Sequence, residues 1–512
     1  MSQKKIGANR AQARKNIIIN IFAKVGVMIL PFATRTVIIY SLGIDYLGLD
    51  TLFSSILNVL SLSELGFSSA IVFSMYKPIA EGDDEKVCAL LTYYKKIYRI
   101  VGCIILGIGL ILLPNIQLFI AEGTKYPSDV NLYVVYLIFL SNTCISYFLF
   151  AYRSSILVAT MRTDIDAIIE LVRCIVQYGL QLLVIVLFKQ YYIYILVLPF
   201  VTVAINIFRN LLIINKYPEY CKNVTLEKEE KKQIFSKVKA LIGNKIGGMV
   251  FTTADNIVIS AFLGLEVLGK FSNYNLIFTT VYAIESVAYT SIQPVIGNLL
   301  VTKSREECYS IFQKLFLINT CITAVCTACF VSLYQPFMSV WVGKEGMLST
   351  VIPMLFAVYF MVKSIRRLLF LFKEAAGMWK DDFWKPYVSV LVNLIVNIVL
   401  VQIIGLPGIL ISSIVAILVV EIPWETYVFF KKFFEKSPKQ YAFLFALAIL
   451  FSGIVALICG IVAYFTCKIV AYPVLRIAVL FIVCLLLGIG SCIPLLLKSS
   501  WKADINNIKK QT

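Results

Sequence analysis

Apolar runs of about 20 residues follow one another along this 512-residue sequence, from near the N-terminus almost to the C-terminus. A run of that length crosses the hydrocarbon layer of a bilayer as an α-helix, which satisfies its backbone hydrogen bonds internally where water is absent. Only 15% of the residues are charged, against roughly 25% in soluble domains. The sequence therefore predicts an all-α polytopic membrane protein without a separate soluble domain.

Windows of about 19 residues place about fourteen transmembrane helices along the chain. Their approximate bounds are 16–40, 48–76, 97–118, 132–152, 166–188, 192–214, 241–262, 271–297, 310–333, 350–372, 386–404, 407–429, 441–465 and 472–497. The longest polar connection lies between the sixth and seventh spans. The expected division is an N-terminal six-helix lobe at 1–214, a cytoplasmic linker at 215–240, a C-terminal six-helix lobe at 241–432, and a helix pair with a cytoplasmic tail at 433–512.

The basic residues alternate between successive loops and do not form one patch. With the N-terminus in the cytoplasm, roughly 35 of the 47 Lys and Arg residues fall in or beside inner loops, and about 6 fall in outer loops. This asymmetry predicts that both termini are cytoplasmic. The net charge of +18 therefore indicates topology and not a nucleic-acid partner.

The two halves repeat each other without a gap at an offset of 221 residues, the difference between Lys24 and Lys245. The same offset aligns Leu42-Gly43 with Leu263-Gly264, Leu47-Gly48 with Leu268-Gly269, and Glu64 with Glu285. So many matches in one register indicate an internal repeat. Each copy holds six spans, an even number, so the copies share one orientation. A pseudo-two-fold axis along the membrane normal is therefore predicted to relate the two lobes.

The first and seventh helices carry charges within their spans. Such charges cost about 2.5–3.5 kcal/mol each on insertion scales, so they are expected to face a cavity or a partner. Lys24 and Arg35 lie three turns apart on one face of the first helix, and their repeat equivalents are Lys245 and Asn256, with Asp255 beside the latter. We expect the two helices to line a cationic cleft for a phosphate-bearing ligand. The alternative is that the long side chains snorkel to the two interfaces.

Acidic and polar residues on other spans add further candidates. Glu64 and Glu285 are interpreted as ion-coupling acids, as partners of the first-helix bases, or as structural hydrogen-bonding groups. The fifth span has a regular polar face made of Asp166, Glu170, Arg173, Gln177 and Gln181. Its inner turns are interpreted as a salt-bridged entrance and its Gln residues as a sugar-binding wall, with a structural Glu170–Arg173 pair as the alternative.

A cationic cluster on the tenth span, Lys363, Arg366 and Arg367, either contacts substrate or anchors the inner end of the helix. The predicted substrate-binding residues are Lys24, Arg35, Arg173, Gln177, Lys245, Asn256, Arg366 and Arg367. The ion-coupling candidates are Glu64, Glu285, Asp255 and Glu170.

Missing motifs disfavour several kinds of chemistry. The sequence has no His, no nucleotide-binding G-x-x-x-x-G-K-[ST] motif and no Asp-x-Asp run on a soluble domain. The outer loops are short, which argues against a membrane glycan polymerase or ligase. The 13 Cys are scattered, and the single C-x-x-C lies within a span, so packing is favoured over a metal or redox site. No cofactor, metal site or covalent catalysis is expected.

Two stretches resemble a known family. Residues 42–83 read LGIDYLGLDTLFSSILNVLSLSELGFSSAIVFSMYKPIAEGD, and residues 372–378 read FKEAAGM, followed by KDDFWKPYVSVLVNLIVNIVL at 380–400. Both are similar to polysaccharide repeat-unit flippases, the Wzx-type exporters of O-antigen, capsule and exopolysaccharide. That family lies within the multidrug/oligosaccharidyl-lipid/polysaccharide exporter superfamily. The resemblance extends from about residue 16 to residue 432.

The resemblance implies a two-lobed, inverted-V fold in the bacterial cytoplasmic membrane. It implies alternating access that moves an undecaprenyl-pyrophosphate-linked oligosaccharide to the outer leaflet, through a cationic cavity with a lateral opening for the lipid tail. A polysaccharide polymerase and a chain-length regulator are candidate partners. Helices thirteen and fourteen either hold the lipid tail or only pack. A small-molecule multidrug exporter and a peptidoglycan-precursor flippase of the same superfamily remain as alternatives.

Overall fold

The computed structural model describes the backbone of residues 3–61, 67–124, 126–378 and 380–498. Within those ranges it describes all side chains except those of residues 3–15, 17–18, 21, 236–237, 239–252, 380 and 496–498. The described residues form α-helices joined by short turns, and no strand occurs among them. The helices are α1 (Gln3–Ser41), α2 (Ile44–Leu60), α3 (Phe67–Glu81), α4 (Asp84–Leu112), α5 (Leu132–Phe148), α6 (Ser154–Ala159), α7 (Thr163–Phe188), α8 (Tyr191–Lys216), α9 (Lys228–Leu263), α10 (Leu265–Thr302), α11 (Arg305–Trp341), α12 (Val351–Ala375), α13 (Lys385–Ile404), α14 (Leu406–Ala416), α15 (Ile422–Thr426), α16 (Pro438–Ile469) and α17 (Pro473–Lys498).

The all-helical membrane fold predicted from the sequence is confirmed. Within the described part of the chain, nine helical segments are long and apolar enough to cross a bilayer, or ten if the bent pair Leu132–Phe148 and Ala151–Ala159 is one span. The other four predicted spans fall on α2 with α3, α9, α10 and α12, which are helical but do not meet the same test. The count of fourteen therefore stays a prediction.

Contacts divide the chain into two compact units, Met1–Gly269 and Lys270–Thr512. In the first unit α1 packs along α7, α5 along α8, and α2 along α9. Helix α9 begins inside the predicted linker, and its first turns reach α4 through a Lys86–Glu230 ion pair. In the second unit α11 packs against α12, α16 and α17. The predicted lobe boundaries remain a prediction.

The helix pair α16 and α17 is fastened to α11 by small side chains. Ala324 and Ala328 of α11 form a buried cluster with Cys459 of α16 and Cys484 of α17. Close approach of this kind suits helices in lipid, where packing and not the hydrophobic effect drives association. The cysteines here fill small spaces in the packing of the second unit.

Two glycines of the internal repeat have the same backbone role. Gly43 precedes α2 with a φ of 123°, and Gly264 precedes α10 with a φ of 87°. Residues with a side chain rarely adopt such angles, so glycine is favoured at both turns. The two positions differ by the repeat offset of 221 residues.

A second pair of repeat glycines forms a reciprocal helix contact within the first unit. A Cβ on Gly48 would overlap the carbonyl oxygen of Leu265, and a Cβ on Gly269 would overlap the carbonyl oxygen of Ile44. Leu265 is the repeat equivalent of Ile44, so each copy of the motif makes the same contact with the other. We call these four residues the glycine crossing. The two helix starts meet there backbone to backbone.

Candidate functional site

Arg35, a predicted substrate-binding residue on α1, lies within electrostatic reach of Asp50 on α2. Asp50 accepts hydrogen bonds from the hydroxyls of Tyr191, at 2.6 Å, and Tyr194, at 3.2 Å, both on α8. Both tyrosines are buried. The cluster joins three helices of the first unit and partly neutralises Arg35. Asp50 was not predicted from the sequence, although it is an acid in an apolar stretch of the chain, as Glu64 is.

The other residues of the predicted cationic face have different surroundings. Lys24 is exposed. Asn256 of α9 donates a hydrogen bond from Nδ2 to Ser55 Oγ of α2, at 3.0 Å, and the neighbouring Asp255 is half-buried. The side chain of Lys245 and the whole of Glu64 lie outside the described residues.

The polar face predicted for the fifth span lies on α7, and its central residues are hydrogen-bonded to one another. Arg173 donates from Nε to Glu170, at 2.9 and 3.0 Å, and from Nη1 to Gln177 Oε1, at 2.6 Å. Asp166, one turn before Glu170, pairs with Arg209 of α8 at 3.4 Å. The structural pair considered as the alternative for Glu170 and Arg173 is therefore present, and Gln177 belongs to the same group.

Glu285 of α10 lies at the centre of a buried hydrogen-bond network in the second unit. Its Oε1 accepts hydrogen bonds from Ser364 Oγ of α12 and from Tyr289 Oη, the latter at 3.3 Å. Tyr289 also contacts Asn319 of α11, whose amide donates to the carbonyl oxygen of Ser364 at 3.1 Å. Glu285 is only 8% exposed, and its Oε2 has no hydrogen-bond partner among the described residues.

Two cations of α12 face α10 beside this network. The Nζ of Lys363 lies 4.5 Å from the ring centroid of Tyr282, and it also approaches the rings of Phe278 and Tyr359. Arg367, one turn further along, donates from Nη2 to Ser286 Oγ at 3.0 Å. Both cations attract Glu285. An ammonium or guanidinium near aromatic rings is stabilised by the ring quadrupole.

Arg366 belongs to a different cluster, in which every charge has an opposite partner. It pairs with Glu421 and, through Nη2 at 2.6 Å and Nε at 2.8 Å, with Glu425. Lys385 of α13 pairs with the same Glu425 and with Asp382, at 2.7 Å. Lys373 completes the cluster by contacting Asp382. Charges buried this deeply are tolerated in proteins only when they are paired and hydrogen-bonded.

This cluster was not predicted from the sequence, although a signal for it exists in α13. Lys385, Ser389, Asn393 and Asn397 recur every four residues along α13, and all four are buried. Ser389 donates to Glu421 at 3.0 Å. The same spacing argument that identified the polar face of α7 applies to this stripe.

No family model matches the sequence, and no curated protein matches it. The comparison of structures does find a shared fold, and one of the solved proteins with this fold is described as a multidrug resistance transporter of the MOP superfamily. One solved structure of this kind is a lipid II flippase, MurJ, in an inward closed conformation. It has a TM-score of 0.68 and 15% identity, and the match covers 93% of this chain and 97% of that one.

Multidrug transporters share the fold as well. An inward-facing MATE family transporter has a TM-score of 0.61 and 14% identity, with 80% of this chain and 97% of that chain covered. The MATE multidrug transporter DinF-BH, solved as a complex, has a TM-score of 0.59 and 16% identity, with 82% and 96% covered. At these identities the likeness is one of fold.

Proposed function

We propose that this chain is a flippase that moves undecaprenyl-pyrophosphate-linked oligosaccharide repeat units from the inner to the outer leaflet of the bacterial cytoplasmic membrane. It works by alternating access, without covalent chemistry, for surface polysaccharide synthesis. One observation carries the proposal: a lipid II flippase matches 93% of the chain with a TM-score of 0.68, whereas the MATE transporters compared match 80–87% of it with TM-scores of 0.61 or less. The resemblance of residues 42–83 to repeat-unit flippases supports an oligosaccharide as the cargo.

The surroundings of the charged residues refine which of them contact the substrate. Arg35, Arg173, Arg366 and Arg367 each have an acidic neighbour, so part of their charge is compensated within the protein. Lys24 is exposed. We therefore assign the pyrophosphate first to Lys24. The remaining substrate-binding candidates are Arg35, Arg173, Gln177, Lys245, Asn256, Arg366 and Arg367.

An ion gradient or substrate flux drives the transport cycle in this proposal. The ion-coupling candidates remain Glu64, Glu285, Asp255 and Glu170. The substitutions Glu64→Gln and Glu285→Gln each remove a titratable carboxylate with little change of shape. They should therefore weaken any dependence of transport on pH or sodium. The measurement is the initial rate of lipid-linked oligosaccharide transport in vesicles across a pH and sodium series. An unaltered dependence would make these residues structural.

Two other cargoes are supported by specific observations. A small-molecule multidrug exporter would suit two acids, the half-buried Asp50 and the buried Glu285, which would attract a cationic drug. A peptidoglycan-precursor flippase would suit the match to the lipid II flippase. A polysaccharide polymerase and a chain-length regulator are proposed as partners only for the repeat-unit flippase.

Complementation separates the three functions. The full chain is expressed in a strain that lacks its repeat-unit flippase, in a strain depleted of its lipid II flippase, and in a drug-sensitive strain that lacks its exporters. We expect surface polysaccharide to return in the first strain and no rescue in the other two. Rescue of growth in the second strain alone, or of drug resistance in the third alone, would replace the proposed cargo.

A further inference from the structure

Helices α4 and α11 are equivalent elements of the internal repeat. They begin at Asp84 and Arg305, which differ by the repeat offset of 221 residues. The residues before them, Asp83 and Ser304, are equivalent as well, and each side chain accepts a hydrogen bond from the backbone N–H three residues further on. The same register therefore continues into both helices, and their surfaces can be compared position by position.

The face of α11 that carries small side chains is covered by helices α16 and α17. Ala324 and Ala328 are fully buried against cysteines of these two helices. One turn before Ala324, the Sγ of Cys492 of α17 lies 3.9 Å from the carbonyl oxygen of Cys321. This stripe of α11 is therefore an interface between helices.

The equivalent face of α4 is not covered by any described residue. Cys103 and Gly107, the equivalents of the two buried alanines, are exposed, and a Cβ on Gly107 would meet no atom within 4 Å. On the same face, Ile100, Ile104 and Ile111 are 60%, 45% and 71% exposed. In a membrane-spanning helix an apolar stripe of this kind contacts either lipid or another transmembrane helix.

The two faces also differ in charge toward the start of each helix. On α11 the residues there are uncharged, and the ring of Phe316 lies 5.8 Å from that of Tyr441 of α16. On α4 the equivalent positions, all within about one turn, carry three cations: Lys95, Lys96 and Arg99. A helix end that meets an aromatic residue in one copy is thus cationic in the other.

None of these three cations pairs with an acid among the described residues. The acids of α4 lie in its first turn, about 15 Å along the helix from Lys95, and the neighbouring α5 has no charged residue. By contrast, Lys86 of the same helix pairs with Glu230. Lys96 and Arg99 are exposed, and Lys95 is half-buried. The face therefore presents positive charge to its surroundings.

We propose that this face of α4 binds an anionic phospholipid of the bilayer. The phosphate accepts hydrogen bonds from Lys96 and Arg99, and one acyl chain lies along Ile100, Ile104 and Ile111. Arg99 and Ile111 are about 18 Å apart along the helix, close to the roughly 15 Å of hydrocarbon that one leaflet contributes. The predicted topology places the cationic end at the inner leaflet.

Charge distinguishes this lipid from other occupants of the face. A zwitterionic phospholipid brings a cation of its own toward Lys96 and Arg99. The helix pair of a second copy has no acid in α16 or α17 and would bring Lys439 at the start of α16. An anionic headgroup alone supplies the opposite charge. The inference does not depend on the proposed cargo, because none of these residues belongs to the predicted substrate-binding set.

Native mass spectrometry of the purified full chain tests the preference. The protein in detergent is titrated with phosphatidylglycerol or with phosphatidylcholine of the same acyl chains, and the apparent dissociation constant of the first bound lipid is measured. One basic residue near an anionic membrane surface contributes about fivefold in affinity, so two should favour phosphatidylglycerol by about tenfold or more. Equal affinities for the two lipids would overturn the proposal.

Matched charge variants locate the preference. The double variant Lys96→Gln, Arg99→Gln should bind phosphatidylglycerol about tenfold more weakly than the wild type. The control Lys222→Gln, Lys439→Gln removes two other exposed cations and should leave the dissociation constant unchanged. All four side chains are exposed, so the variants are expected to fold. Equal weakening in both double variants would reveal diffuse charge attraction and would overturn the site.

A phosphatidylglycerol with a photoreactive acyl chain identifies the helix that it contacts. In native membranes we expect labelling to concentrate on the α4 peptide 100–111 and to fall in the Lys96→Gln, Arg99→Gln variant. Even labelling of all exposed faces would contradict the site. Labelling of α4 in the purified chain but not in native membranes would show that a protein covers the face. Stronger displacement of the label by undecaprenyl phosphate than by unlabelled phosphatidylglycerol would assign the face to the cargo lipid; each result would overturn the proposal.

Discussion

Glu425 is surrounded by three cations of the second unit. It is fully buried and lies against Arg366 and Lys385, with Lys373 at 3.9 Å. Removing a buried ion from water costs several kcal/mol, and only close opposite charges repay that cost. These residues therefore specify how α12, α13 and α15 pack, and they are poor candidates for releasing their charges to a substrate.

Glu425→Gln tests this structural role. The substitution leaves the buried cations with less opposing charge, so we expect it to destabilise the protein by about 3–5 kcal/mol. The measurement is the thermal unfolding midpoint of the purified chain in detergent. Glu345→Gln, which alters an exposed acid, serves as control and should change stability by less than about 0.5 kcal/mol. A midpoint for Glu425→Gln equal to that of the control would contradict the role.

Arg35 and Asp50 allow a double-mutant cycle in the first unit. Arg35→Ala should lower the unfolding midpoint because it leaves the carboxylate of Asp50 without its cation. Asp50→Asn in the same background removes the unpaired charge and should recover stability, with a coupling of about 0.5–3 kcal/mol. Purely additive midpoints would show that the two residues do not depend on each other. If Arg35 also binds substrate, the stable double variant will still fail to restore surface polysaccharide.

Residue identities could be predicted from the sequence better than residue partners. A charged residue within an apolar span can be recognised from the sequence alone, and Glu285, Arg366 and Arg367 were identified in this way. Whether a charge is paired depends on a helix distant in sequence: the partners of Arg366 lie about 55 and 59 residues away. For that reason Arg366 and Arg367 were predicted to share one role, and only the structure shows that their surroundings differ.

At the scale of helices, the glycine crossing shows what the internal repeat does physically. The repeat aligns Gly48 with Gly269, and the structure places each against the start of the other copy's helix. Two helix backbones approach this closely only where a Cβ is missing from both. The sequence predicted the equivalence of the glycines but not their contact, because a repeat alone does not state which surfaces meet.

Alanine at the glycine crossing should be destabilising from either side. Gly48→Ala and Gly269→Ala each introduce a methyl group against a carbonyl oxygen, and overpacking of this kind costs about 1–3 kcal/mol. The double variant should lose less stability than the sum of the losses of the two single variants, because either methyl group alone already separates the same two helix starts. Thermal unfolding of the purified variants measures this.

Gly107→Ala is the matched control for the glycine crossing. A Cβ at Gly107 of α4 meets no atom within 4 Å, so the substitution should be neutral or stabilise the helix by up to about 1 kcal/mol. The account of the crossing fails if Gly48→Ala behaves as Gly107→Ala does.

The positions of most helices were predicted from the sequence, but the start of α9 was not. Hydrophobic length identifies a span wherever the chain is apolar, and ten predicted spans coincide with segments that meet that test when the bent pair is included. The first turns of α9 are polar and charged, so the sequence assigned them to a linker. In the structure they continue one helix from Lys228, in which Glu230 pairs with Lys86 of α4 and the ring of Phe235 packs against that of Phe67.

At the scale of the whole molecule, the all-helical membrane fold could be predicted from composition and spacing, and solved flippase and transporter structures share that fold. The cargo is not encoded in the fold, because transporters of lipid II and of drugs share it. It must be decided by charge and shape at a few side chains. Lys24 is well suited to test whether a positive charge is needed for transport, because it is exposed and replacing it should disturb little packing.

Transport in proteoliposomes tests the central claim most directly. The vesicles contain a fluorescent undecaprenyl-pyrophosphate-linked oligosaccharide, and a quencher that cannot cross the membrane reports how fast the labelled headgroup reaches the outer leaflet. We expect the wild-type chain to accelerate this movement and Lys24→Ala to slow it, with equal amounts of protein in the membrane. Unaccelerated movement of the labelled lipid, together with accumulation of a cationic dye in the same vesicles, would contradict the proposed function.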